Sequence, residues 1–182
     1  MDSLSSKHPL LILRELELQY TSNKTPATSS RSEKAPWTGV AIELANERLL
    51  IENRYVEEIL LRHAMASLSQ VPGTKDWFKG LTSVHGQALP VVDLGLFLFK
   101  RPTKITNNSR LLILDFGDFS NAVLLEKSLG LKHFADIPQF LSNASSEFLQ
   151  YSFQENQSSW PILDVDALGR AASFRNTALE PG

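Results

Sequence analysis

From Trp37 onward the chain is cut into short apolar runs by polar turns, and no run is long enough for more than a strand or a brief helix. "WTGVAIEL" is followed by a turn and a second run in "ANERLLIE". "FKGLTSV" and "QALPVV" lie around an "HGQ" corner, and "RLLILDF" and "NAVLLEK" around "GDFS". "EFLQYSF" and "SWPILDV" lie around "QENQSS". Strands and turns in this rhythm leave no room for βαβ units and point to a mainly all-β barrel or sandwich. The strands cluster before and after about residue 100, which reads as two lobes. "NRYVEEILL" reads as briefly helical or irregular, and "DVDALGRAAS" as a closing helix.

The first part of the chain has a different character. From Pro9 to Tyr20 apolar residues recur at helical spacing, with Pro9 suited to a first turn, so a short N-terminal helix is expected. The following "TSNKTPATSSRSEKAP" contains no large apolar side chain and reads as a flexible linker. The expected organisation is therefore a helix and linker over 1–36 and a folded domain over 37–182.

Charge and cysteine content narrow the function. The net charge is −2, too weak a field to gather nucleic acid or anionic lipid. The chain has no cysteine, which removes disulfides, thiolate nucleophiles and sulfur-ligated zinc. The longest apolar stretches, "PLLILRELEL" and "DLGLFLF", fall short of the ~20 residues that span a bilayer. A cytoplasmic protein that neither inserts into membrane nor binds nucleic acid is expected.

Candidate chemistry is sparse. Ser83, His85 and Asp93 invite comparison with a hydrolase triad, but no G-x-S-x-G elbow or glycine-built oxyanion loop accompanies them. "DFG" at Asp115–Gly117 lacks every other kinase element and reads as a strand running into a turn. Asp164 and Asp166 have no calcium-loop pattern around them, and Asp166 reads as the cap of the last helix. The histidines His8, His63, His85 and His133 never stand three or four residues apart. Lys100, Arg101 and Lys104 are too few for a nucleic-acid footprint. No catalytic residue, cofactor or metal ligand is expected; the alternative is a small hydrolase built on Ser83, His85 and Asp93.

The most heavily punctuated stretch, "VPGTKDWFKGLTSVHGQALPVVDL", reads instead as a packing and turn device. Pro72 and Gly73 break the chain, Trp77 and Phe78 anchor it, and Gly80 lets the backbone pass close to them. Gly86 permits positive φ at the corner. Pro90 cannot donate to a ladder and belongs at an edge or bulge, while Asp93 can cap a turn through "LGLF".

This stretch resembles the signature of the CheW-like coupling domain of bacterial chemosensory systems. The matching residues are Val71-Pro72-Gly73, Phe78, Gly80, Gly86 and Pro90 through Leu94. "YVEEIL" at Tyr55–Leu60 resembles the family's "v-x-e-i" segment upstream, and the likeness runs from about Trp37 to Ala172. His85 stands where the family carries arginine and Ser83 where it carries asparagine. "NAVLLEKSLGLKHF" lacks the family's acidic "VDEV" element. With the N-terminal extension, these departures resemble the adaptors of type IV pilus (twitching) systems.

The resemblance implies two small five-stranded SH3-like β-barrel lobes side by side, with short helices. It implies an adaptor, not an enzyme, that links the cytoplasmic tip of a methyl-accepting chemoreceptor to a CheA-type histidine kinase. A scaffold that self-assembles without activating the kinase is the variant reading. Val56, Glu58 and His85 fall on the implied partner-binding surface, with Val56 at least partly exposed and His85 within a few ångströms of Glu58. Gly80, Gly86, Pro90 and Asp93 are the structural motif.

Overall fold

The computed structural model describes residues 36–65 and 67–179. The expected N-terminal helix and nearly all of the linker lie outside the described residues, as do His8 and the side chain of His63.

Among the described residues, eleven strands form two sheets. In chain order they are β1 (Trp37–Leu44), β2 (Glu47–Glu52), β3 (Val56–Leu61), β4 (Phe78–Val84), β5 (Gln87–Val92), β6 (Arg110–Asp115), β7 (Ser120–Leu125), β8 (Lys127–Phe134), β9 (Gln139–Phe140), β10 (Tyr151–Glu155) and β11 (Ser158–Ile162). One sheet has the order β3-β6-β7-β5-β4. The other has the order β8-β1-β2-β11-β10-β9, its sixth member being the two-residue β9. Three short helices complete the described chain: α1 (Leu94–Phe99), α2 (Val165–Arg170) and α3 (Ala172–Arg175).

The lobes do not divide near residue 100. The β1–β2 hairpin joins the C-terminal strands, pairing antiparallel with β8 and meeting β11 in parallel at Leu50 and Ile162. The five-stranded lobe is the middle of the sequence, β3 to β7. The chain thus crosses between lobes at Asn53–Tyr55, a 3-10 turn, and again at Glu126. "NRYVEEILL" is that turn followed by strand β3, and "KSLGLKHF" is a strand that the punctuation did not suggest.

The near-continuous apolar runs are explained by strands buried on both faces. In β6, Leu112 and Leu114 enter a core shared by both lobes, while Leu111 and Ile113 face the interior of the five-stranded lobe. In β1 and β2, Ile42, Leu49 and Ile51 join the shared core. Ala41 and Leu50 turn instead to an aromatic cluster of Phe134, Phe153 and Trp160. Phe134 and Phe153 stack at 4.2 Å between centroids. Each fully buried Leu or Ile contributes about 1.5–3 kcal/mol, so the shared core is a large part of what joins the lobes.

Asp93 is the polar anchor of this arrangement. Its buried carboxylate accepts from the Leu96 backbone N–H at 3.1 Å, capping α1 as expected, and from the Thr103 hydroxyl at 2.7 Å. The Thr103 backbone N–H adds a bond of 3.1 Å, and Lys79 Nζ stands 4.0 Å away. The helix it starts packs so tightly that a Cβ on Gly95 would lie 2.7 Å from the Ala45 methyl, in the β1–β2 turn of the other lobe.

Two local readings need correction. Asp164, not Asp166, caps α2, accepting from the Ala167 backbone N–H at 2.8 Å. A cap bonds the N–H three residues on, and Ala167 stands three after Asp164. Gly80 does admit a close approach, but the neighbour is the Ser69 carbonyl rather than Trp77 or Phe78. Its φ of +127° and the collision any Cβ would make there both require glycine.

Candidate functional site

The residues singled out by the family signature lie on the five-stranded lobe. His85 and Gly86 occupy the two-residue turn between β4 and β5, with φ of +50° and +80°. Positive φ at both positions is the twist that two-residue hairpins favour, and it raises the imidazole at the tip. Glu58 lies on β3, at the far edge of the same sheet. The sheet curls enough to bring its two edges together: His85 Nε2 lies 2.8 Å from Glu58 Oε2. Both side chains remain open to water, 73% and 43% exposed, so the pair is a surface feature rather than a buried bridge.

Val56 opens β3, half-buried, with its inner side against the shared core. A β-bulge between Val56 and Glu58 offsets the pairing with β6. Glu57, the bulged residue, accepts from the Ser120 hydroxyl at 3.0 Å. Leu61, at the other end of the strand, is 53% exposed. Edge strand β3 therefore presents an apolar residue, a carboxylate paired to an imidazole, and a second apolar residue along one length. A surface so built can bind another protein.

The supposed triad is not assembled. His85 faces Glu58, Asp93 is committed to Leu96 and Thr103, and the exposed Ser83 has its backbone N–H 3.4 Å from the Ser67 hydroxyl. The other candidates are structural too. In the "DFG" turn, Gly117 N–H donates to Asp115 at 2.7 Å, and Phe116 stacks on Phe119 at 4.8 Å. Arg101 pairs with Glu47, and Lys104 Nζ donates to Asn46 at 3.2 Å, so this basic group ties the loop after α1 to the β1–β2 turn. His133 shares a 2.9 Å hydrogen bond with the Thr38 hydroxyl. Among the described residues, no three His, Asp or Glu side chains converge to hold a metal.

Pro90 precedes the two residues, Val91 and Val92, at which β5 meets β7, so it lies where β5 has β4 alone as neighbour.

Sequence reasoning missed a second polar cluster, immediately before Val56. The Tyr55 hydroxyl donates to Asp166 Oδ2 at 2.6 Å, and Arg54 lies over the Tyr55 ring at 4.5 Å. Arg54 also reaches Glu52 at 3.1 Å and Asp166 at 4.0 Å. Partial burial, then the hydrogen bond and charge of Asp166, push the Tyr55 hydroxyl up to about 12. These residues tie the first crossing to α2 and so fix where β3 begins. Only contact across 111 positions joins Tyr55 to Asp166, and no local spacing signals it.

Residues 38–173 match the family model described as the CheW-like domain. The chain is 25% identical over 149 residues to Protein PilI of Pseudomonas aeruginosa, covering 79% of this chain and 81% of that protein. It is 31% identical over 137 residues to Protein FrzA of Myxococcus xanthus, covering 72% and 84%. The crystal structure of scaffolding protein TtCheW from Thermoanaerobacter tengcongensis superposes with a TM-score of 0.62 at 16% identity. That match covers 70% of this chain and 88% of that one and shows a shared fold.

Proposed function

This chain belongs to the family of CheW-like domains, and from that premise we propose that it is a non-enzymatic chemosensory adaptor that couples a chemoreceptor to a CheA-type histidine kinase. The observation that carries the reading is the Glu58–His85 pair beside half-buried Val56 on an edge strand. Binding surfaces of adaptors need an apolar contact with charged groups around it, and here both lie on one strand. The likeness to PilI favours type IV pilus twitching motility as the output. No described helix is long and apolar enough to cross a membrane, and a cytoplasmic location fits the proposed partners. The separation of Ser83, His85 and Asp93 into different contacts supports the non-enzymatic reading.

Titrating the purified kinase and a receptor cytoplasmic fragment separately into the protein tests the proposal. Binding to each is expected. Turnover of ester or peptide substrates that vanished in Ser83→Ala would overturn it.

A further inference from the structure

On the five-stranded lobe, away from the Glu58–His85 pair, a cleft of about 360 Å³ opens between the base of the β4–β5 hairpin and the C-terminal segment. Its walls are largely aromatic: Trp77, Phe78, Phe119 and Phe174. Small-ligand clefts begin at about 300 Å³ and are typically apolar with a few placed polar groups. Two such groups are present. Asn121 is only 6% exposed and Trp77 only 8%, and both line the cleft. Among the described residues neither the Asn121 carboxamide nor the Trp77 indole N–H has a hydrogen-bond partner.

The position of Asn121 makes this more than chance polarity. Along β7 it shares a face with Val123 and Leu125, both in the shared core, and it pairs in register with Leu114. An apolar side chain would satisfy packing there. A carboxamide carries a donor and an acceptor side by side, and the backbone N–H and C=O of one residue in an extended chain point the same way. A single Asn can hold both at once. An indole N–H adds a donor for a neighbouring carbonyl, and the aromatic walls suit the flanking side chains. Arg175 does not make this a carboxylate site, because its guanidinium is already held by Asp118 at 2.9 Å and by the Gly169 carbonyl.

We propose that this cleft binds an extended apolar peptide segment of a partner protein, with Asn121 reading the backbone of one residue and the Trp77–Phe174 wall taking its side chains. None of Val56, Glu58 and His85 lines the cleft, although Val56 joins Asn121 through their shared neighbour Leu114.

The test is a two-dimensional amide NMR titration of the full chain with an acetylated, amidated tripeptide of leucine, phenylalanine and leucine. Shifts centred on the Asn121 side-chain amide and the Trp77 indole N–H are expected at millimolar peptide, with resonances of His85 and Glu58 unmoved. Asn121→Leu keeps the branching but removes both donor and acceptor, and Asn121→Asp keeps the shape but loses the donor; each is expected to weaken binding about tenfold while the melting temperature of Asn121→Leu does not fall. If Asn121→Leu fails to fold, Asn121→Asp carries the comparison alone. No shift at these groups, or shifts that persist in the folded variant, overturn the proposal. Shifts that follow protein concentration without peptide also overturn it, because they would identify a second copy of the chain as the occupant.

Discussion

Glu58 stands on one edge strand of the sheet and His85 in the turn that follows the opposite edge strand, yet Glu58 Oε2 and His85 Nε2 are 2.8 Å apart. The contact reports the curl of the lobe as much as it reports a charge pair. Where the family carries a permanently charged arginine, this chain carries a shorter side chain that is charged only when protonated.

A double-mutant cycle on Glu58→Gln and His85→Ala separates these roles. For stability, the coupling of such an exposed pair is expected at about 0.2–1 kcal/mol. For kinase or receptor binding, each single variant is expected to weaken the complex, and the double variant to cost less than the sum. Additive losses would remove the pair as a unit, and no loss would remove it from the surface. His85→Arg is expected to retain binding.

Val56→Asp places a charge on the outer edge of a half-buried residue. Binding is expected to fall while the circular dichroism spectrum stays that of the wild type. Global unfolding would show that its contact with the shared core outweighs its exposure.

Asp93→Ala removes the acceptor for the Leu96 N–H, the Thr103 N–H and the Thr103 hydroxyl at once. Leaving buried donors unmatched is expected to cost about 2–4 kcal/mol in denaturant unfolding. A change below about 0.5 kcal/mol, the range of an ordinary surface substitution, would contradict the anchoring role.

Tyr55 gives the fold a pH-dependent contribution. Its hydroxyl titrates near 12 in the folded chain against an ordinary 10.0, so the folded state holds the proton more tightly. That contribution is complete below pH 10.0 and is lost as pH rises toward 12. Tyrosinate absorbance, compared with Tyr55→Phe to isolate this residue, is expected to show one late titration that moves earlier in Asp166→Asn. An unchanged titration in Asp166→Asn would leave burial as the sole cause.

Much of the fold is legible in the sequence because turn chemistry is local. Gly86, Pro90 and the polar corners mark the hairpins of β4–β5, β6–β7 and β10–β11 correctly. What pairs with what is not local. β1 takes Leu131 as the partner of Val40, and nothing near either residue says so, which is why the lobes read as divided at the wrong place. The candidate site divides along the same line. Family resemblance puts Glu58 beside His85, but Tyr55 and Asp166 meet only in space. Asn121 does leave a trace, as the one amide in the apolar run "SNAVLL", a mark that gains meaning only from the cleft it lines.

An adaptor must join two partners at once. Membranes carrying the chemoreceptor, sedimented with the CheA-type kinase in the presence and absence of this protein, address it most directly. The kinase is expected to sediment with the membranes only when the wild-type protein is added, and far less with Val56→Asp. Equal sedimentation of the kinase with and without the protein would contradict it.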